Sequence, residues 1–336
     1  MLDLLALVSA VYFGSWLIDT LTDDDDDDDD DNGSEAVSVG TEGSNLISGK
    51  ALGEKIFGKG GDDALSGSGG DDEIFGGAGN DAVTGGAGDD FLRGGAGDDQ
   101  VFGAGGNDVV LGDGGDDSVG GGAGDDIVRG GVGEDRLTGG TGDDLLLGGD
   151  GADTSFGGEG DDMIVGGQGN DTSNGGAGDD LLVGNFAFDL LTLTPSEGGE
   201  TGGDDLFGGT GEDTIILGAH DEAEGGAGAD VFAVLLETET VPSVSDFDTD
   251  EDEIVVYFDP AATAGLEPFE VNVLPAAGAA TGPTLEATTS DPDTTFPLLT
   301  LDGLTTSQAM QANVSFRSID ELNGIMAAGF APLGTA

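Results

Sequence analysis

From residue 63 to residue 182 the chain carries a large apolar side chain at almost every ninth position. The series runs Leu65, Ile74, Val83, Leu92, Val101, Val110, Val119, Val128, Leu137, Leu146, Ser155, Ile164, Ser173 and Leu182, with serine standing in twice. Between these positions lie glycine-rich segments, and glycine supplies the positive φ that tight turns need. The pattern predicts units made of a turn followed by a three-residue strand, with only the central strand residue pointing inward.

The polar positions keep the same interval. Stepping by nine from Asp63 gives Asp72, Asp81, Asp90, Asp99, Asp108, Asp117, Asp126, Asp135, Asp144, Asp153, Asp162, Asp171 and Asp180. A glycine lies two residues before each of them, from Gly61 to Gly178, and another lies five before, from Gly58 to Gly175. Compositional bias produces many glycines and aspartates, but it does not hold them in one phase over this length. The chain is therefore read as a repeat architecture and not as a disordered acidic segment.

Composition then narrows the function classes. The 336 residues include 70 acidic and 7 basic side chains, 68 glycines and no cysteine, for a formal net charge of -63. Phosphate recognition needs a basic face, so nucleic acid is excluded as a partner. Disulfides and thiolate metal sites are excluded as well. Nucleophile elbow, Walker loop, H-E-x-x-H and Rossmann fingerprint are all absent, and the single histidine, His220, reads as a solvated turn residue.

The stretch Gly85-Gly86-Ala87-Gly88-Asp89-Asp90-Phe91-Leu92-Arg93 matches GGxGxDxUx, where U is a large apolar residue. It resembles the calcium-binding nonapeptide of RTX (repeats-in-toxin) proteins, and the resemblance covers residues 45–232. It implies an all-β fold, a right-handed parallel β-roll in which two repeats make one turn and residues 18 apart stack. One edge then carries Asp63, Asp81, Asp99, Asp117, Asp135, Asp153 and Asp171; the other carries Asp72, Asp90, Asp108, Asp126, Asp144, Asp162 and Asp180. In that family Ca²⁺ sits between successive turns, held by an aspartate from each and by turn carbonyls. Hard oxygen donors suit this ion. The expected metal ligands are these fourteen, together with Asp204, Asp213 and Asp230 of a shorter second block.

A charge count agrees with this. Residues 58–183 hold 28 acidic and 4 basic side chains, and seven aspartates per edge leave twelve internal sites, so about twelve or more Ca²⁺ would neutralise the roll. One aliphatic residue per nine is too thin a core to offset the ordering of nine backbones, so folding is expected to require calcium. Ser155 and Ser173 are 18 apart and should stack on one wall, either as tolerated substitutions or as a hydroxyl pair in a locally weak core.

The flanks divide the chain further. Residues 1–22 form a hydrophobic helix, and its apolar stretch (Leu4 to Ile18) would either contact a membrane as anchor or atypical signal, or pack on protein. Residues 23–40 are an acidic linker with nine consecutive aspartates, Asp23 to Asp31. The main roll spans 41–191, opening with Asn45, Ile47, Glu54 and Ile56 as a degenerate cap; Asp189 and Leu191 still fit a step. Residues 192–198 are an inserted loop around Pro195. Residues 199–258 hold the second block and closing strands around Phe247 and Ile254. A rival reading makes Asp248, Asp250, Asp252 and Asp259 an EF-hand loop, although Glu253 stands where its turn glycine belongs. Residues 259–336 form a small β-rich C-terminal domain. There Ser318 to Glu321 makes a capping box, Ile319, Leu322, Ile325 and Met326 follow at helical spacing, and Gly329 can end that helix. Its acidic, lysine-free tail resembles the signal read by type I exporters, which would be a partner.

The sequence thus points to a non-enzymatic, secreted or surface-displayed calcium-binding protein whose roll folds on Ca²⁺ outside the cell. The alternative is adhesion, or ice or polysaccharide binding with the roll as scaffold. Ice binding would call for an outward row of threonines, which Ser66, Phe75, Thr84, Arg93, Phe102, Leu111, Gly120 and Arg129 do not make. A third reading places a small enzyme at the C-terminus.

Overall fold

A computed structural model of the chain describes residues 36–184, 188–189, 194–195, 203–218, 220–235, 241–258, 270–274, 283–288, 295–301, 309 and 313–318. The anticipated helices in 1–22 and 319–326 lie outside these residues. Among the described residues no helix is long and apolar enough to cross a membrane.

Strands separated by glycine turns alternate between two long sheets, so every second strand pairs with its neighbour one turn away. The pairing is parallel, with a register step of 18. Ile74, Leu92 and Val110 stack in the first sheet, and Val83, Val101 and Val119 in the second. Among the described residues the first sheet has 13 strands, from Ala36–Val39 to Asn313–Ser318, and the second has 14. The fold is a parallel β-solenoid.

The strands are longer than the anticipated three residues. Glu73–Ala78 is typical, and it runs on through its two glycines. These have low intrinsic strand preference, but pairing such as Gly77 with Gly95 carries the ladder through them. Period-two alternation therefore gives three inward positions per unit: Asp72, Ile74 and Gly76 are buried, while Glu73 and Phe75 are only partly covered. The aspartate shares the interior with the aliphatic residue, which corrects the expectation that one residue alone points inward.

Two glycines show why the motif is strict. Gly88 turns the chain with φ 129, and a Cβ there would stand 2.5 Å from the Gly70 carbonyl oxygen. Gly85 has no such φ, yet a Cβ there would collide with Asp90 Oδ2. By contrast Ala104, at the turn position equivalent to Gly86, is held at φ 93.

The thin core is interrupted once. Ser155 pairs with Ser173 in the second sheet, between Leu137 and Leu206, and both hydroxyls are buried. The register then steps by 33, from Thr172 to Asp205 and from Leu181 to Thr214, which places a 15-residue insertion between turns. Within it Phe188–Asp189 pairs antiparallel with Thr194–Pro195, apart from both large sheets. Asp189 thus leaves the repeat phase: Ala187 stands where a turn glycine is needed.

Beyond residue 240 the same two sheets continue. Ser243–Val244 lies parallel between Glu222–Ala227 and Thr295–Leu301; Glu253–Phe258 lies parallel between Val231–Leu235 and Asn313–Ser318. Thr284–Thr288 and Glu270–Leu274 complete an antiparallel meander on the second sheet. The C-terminal residues are β-rich and extend the solenoid, and they bring larger side chains. Phe232 and Phe247 pack with ring centroids 5.8 Å apart. Asp252 is buried directly before Glu253–Phe258, and those residues run as a parallel strand where an EF-hand would continue its loop; Asp259, the last residue of that reading, lies outside the described residues.

Because an L-residue at positive φ carries about 1 kcal/mol of strain or more, Ala104→Gly should stabilise the folded roll by roughly that amount. Gly88→Ala should destabilise it by more, since it adds a backbone collision. Urea unfolding of both variants in saturating calcium tests this; an Ala104→Gly variant less stable than the parent would contradict it.

Candidate metal centre

Each inward aspartate joins its turn to the one before it. Asp90 Oδ1 accepts the backbone N–H of Asp72 at 2.8 Å, and Asp108 Oδ1 accepts that of Asp90 at 2.7 Å. On this edge the file runs unbroken from Asp72 through Asp90, Asp108, Asp126, Asp144, Asp162, Asp180, Asp213 and Asp230 to Asp252. On the other it runs from Asp63 through Asp81, Asp99, Asp117, Asp135, Asp153, Asp171 and Asp204 to Asp221. The N–H groups of Asn45 and Glu54 begin the two files, on Asp63 and Asp72. All seventeen aspartates singled out from the sequence stand in one file or the other.

The second carboxylate oxygen is different. Oδ2 of the fourteen aspartates from Asp63 to Asp180, and of Asp213, is buried and has no hydrogen-bond partner among the described residues. Buried charged oxygen without a partner is costly, so such a row calls for a ligand. The space beside it is small. A carbon added at Gly67 would collide with Asp72 Oδ2 and lie 2.8 Å from the carbonyl oxygen of Gly85, one turn on. The same convergence of an Oδ2 with the next turn's glycine carbonyl recurs at Gly58, Gly76 and Gly148. At each, two hard oxygens from successive turns converge on the space a side chain would fill. Among the described residues no three His, Cys, Asp or Glu side chains gather at one point, so backbone carbonyls must complete any coordination shell.

Burial raises the pKa of these carboxyls. Asp90, Asp117, Asp144, Asp153 and Asp180 are pushed up to about 7 and Asp162 to about 8. Desolvation dominates, and neighbouring aspartates of the same file raise them further, while the N–H bond to Oδ1 pulls the other way. Asp99, Asp108, Asp126, Asp171 and Asp213 reach about 6 by the same burial. The ion pairs Lys55–Glu73 and Arg93–Asp113 lie on the outer face of the first sheet.

Sequence reasoning missed two sets of residues here. Asp221 and Asp252 belong to the files, at steps of 17 and 22 from Asp204 and Asp230. A second, outer ladder uses the residue before each file aspartate. Asp71 Oδ1 accepts the N–H of Asp89 at 3.0 Å, and Asp89 Oδ1 that of Asn107 at 2.9 Å, in the opposite direction to the inner bonds. On this edge it continues through Asn107, Asp125, Asp143, Asp161 and Asp179 to the N–H of Glu212. On the other it runs from Asp62 to the N–H of Glu134. The signal was the recurring Gly-Asp-Asp or Gly-Asn-Asp, whose first polar residue can bond only if turns stack. His220 is exposed and takes no part.

Comparison with family models finds the RTX calcium-binding nonapeptide repeat (4 copies) at residues 53–83, 84–119, 111–146, 120–155, 147–182 and 198–232. A comparison with curated proteins finds none that matches. Among solved structures the chain is similar to the AlgE6R3 subunit of the Azotobacter vinelandii mannuronan C5-epimerase, at 20% identity and a TM-score of 0.32, over 50% of this chain and 84% of that one. The repeats matched between residues 53 and 232 coincide with the two files of inward aspartates, and the chain belongs to the RTX calcium-binding nonapeptide repeat family.

Proposed function

We propose that this chain is a non-catalytic calcium-binding scaffold, secreted or displayed at the cell surface, whose roll folds when Ca²⁺ binds. The observation that carries this is the row of buried, unpartnered Oδ2 atoms facing glycine carbonyls of the next turn. The ligands are Asp63, Asp72, Asp81, Asp90, Asp99, Asp108, Asp117, Asp126, Asp135, Asp144, Asp153, Asp162, Asp171, Asp180, Asp204, Asp213 and Asp230, with Asp221 and Asp252 closing the files. Calcium bound there supplies positive charge and a cross-link between turns. The aspartates fix the turn spacing, and the glycines leave room for their carboxylates. In the same reading folding takes place at extracellular calcium levels, after export of the unfolded chain by a type I exporter. Adhesion or polysaccharide binding remains the second reading, in which the outer faces carry the ligand.

Nine aspartates in one file and ten in the other are joined by seventeen inner bonds, so seventeen gaps are available. Calorimetric titration with circular dichroism in parallel should show β structure appearing with calcium uptake and a stoichiometry above twelve. Equal strand content in chelator and in millimolar calcium, or a plateau below half the number of gaps, would sink the reading. Asp126→Asn, which removes one charge from two adjacent gaps, should lower the stoichiometry by one or two ions and raise the folding midpoint several-fold.

The raised carboxyl pKa values fix the sign of a pH effect in chelator. The folded roll binds more protons than the unfolded chain between the ordinary value of 3.8 and the raised values of about 6 to 8. Stability of the calcium-free roll therefore falls as pH rises through that window. Lowering the pH from 8 to 5 in chelator should increase strand content measured by circular dichroism. An unchanged spectrum would show that the buried carboxylates do not oppose folding.

A further inference from the structure

We propose that Ser155 and Ser173 form a seam dividing the roll into two units that fold at different calcium concentrations, one with its core from Ile56 to Ile164 and the other from Leu182 onward. This rests on the reading that calcium folds the roll.

Four observations meet at this place. The aliphatic file of the second sheet reads Leu137, Ser155, Ser173, Leu206 in register, so two successive turns bring no aliphatic side chain from that wall. Both hydroxyls are buried without a hydrogen-bond partner among the described residues, so their burial opposes closure where every other turn favours it. The inward-facing aliphatic core accordingly falls into two clusters, while a third, on the outer face of the first sheet, runs across the boundary from Met163 and Val165 to Val183. Of the two inward clusters, one ends at Ile164 and the other begins at Leu182, although these two residues are neighbours in register on the opposite wall. Finally, the outer ladder on this edge reaches the N–H of Glu134, and across the seam itself the position that would accept the N–H of Asn170 is Ala152, which has no side-chain acceptor.

The ties that do cross the seam are the strand ladders, the apolar cluster on the outer face of the first sheet, the outer ladder of the opposite edge and the inner carboxylate bonds, including Asp153 to Asp171 on the seam's own edge. Closing the seam therefore depends on neutralising those carboxylates more than it does elsewhere, while each unit has apolar contacts of its own to fold around. The C-terminal unit has the larger core, with Phe232, Phe247, Leu285 and Leu299. It should become protected at the lower calcium concentration.

Hydrogen exchange read by mass spectrometry on the full chain, across a calcium titration, reports both units at once. Peptides within residues 91–147 follow the first and peptides within 205–257 the second. Midpoints about threefold or more apart are expected, with the C-terminal unit lower. Ser155→Val with Ser173→Val, residues of the type already present at Val101 and Val119, should bring the midpoints together. Ser155→Thr with Ser173→Thr, which keeps the hydroxyls, should leave them apart. Coincident midpoints in the parent chain would overturn the seam, and so would separate midpoints that the valine pair leaves unchanged. Protection without any calcium dependence would instead remove the folding reading on which the seam rests. If the valine pair does not fold, the parent and the threonine pair still decide: midpoints that coincide in either overturn the proposal.

Discussion

Each turn of the roll buries two aspartates, and each carboxylate commits one oxygen to the backbone of the preceding turn. In the aspartates from Asp63 to Asp180 and in Asp213 the other oxygen is buried with no donor to meet it among the described residues, and the next turn's glycine carbonyl lies close by. The first bond sets the register, since Oδ1 reaches an N–H only when turns stack at a strand spacing of about 4.8 Å. The second oxygen makes the register expensive. Unit charges about 5 Å apart repel by roughly 3 kcal/mol at an effective dielectric constant of 20. The same residue therefore specifies the solenoid and opposes its closure as long as its carboxylate is charged and unneutralised.

This explains why the motif is built as it is. The strand must continue through its glycines to keep the ladder, and the inward glycine must lack a Cβ because the carboxylate occupies that space. Aliphatic burial contributes one residue per nine, enough to orient the wall and not enough to hold it. The buried carboxylates are confined to the two edges. The few basic side chains stay on the faces, where Arg93 meets Asp113 and Arg136 lies over Phe156 at 4.7 Å, so they leave the edge carboxylates to the ligand.

Most of this was legible because phase is a stronger signal than composition. A fixed interval of nine identified the aspartates, the turn glycines and the inward aliphatics before any coordinates, including the serine pair. What was lost depended on steps that change. Asp221 follows Asp204 by 17 and Asp252 follows Asp230 by 22, so counting by nine passes over both, and only the N–H bonds identify them. The outer ladder was hidden for another reason. A polar residue in a turn reads as solvated, and its bond to the next turn exists only once residues 18 apart are stacked. Strand length was underestimated because glycine disfavours strands locally, while parallel pairing on both sides overrides that preference.

The two outer faces differ in a way the repeat does not require. Facing out from the first sheet, one register column reads Phe91, Val109, Ile127, Leu145, Met163 and Leu181. The corresponding column of the second sheet reads Gln100, Ser118, Arg136, Thr154, Thr172 and Asp205. Along the first face the apolar surface becomes fully covered toward the C-terminal end, where Val183, Ile216, Ala233, Val255 and Tyr257 are buried together. Neither face presents an unbroken threonine row, since the second sheet's other outward column passes through Phe102, Gly120 and Phe156. Calcium binding constrains the inward aspartate, the aliphatic position and the glycines, and it leaves the outward positions free. An apolar bias held over six successive turns on one face alone therefore cannot come from the ion sites.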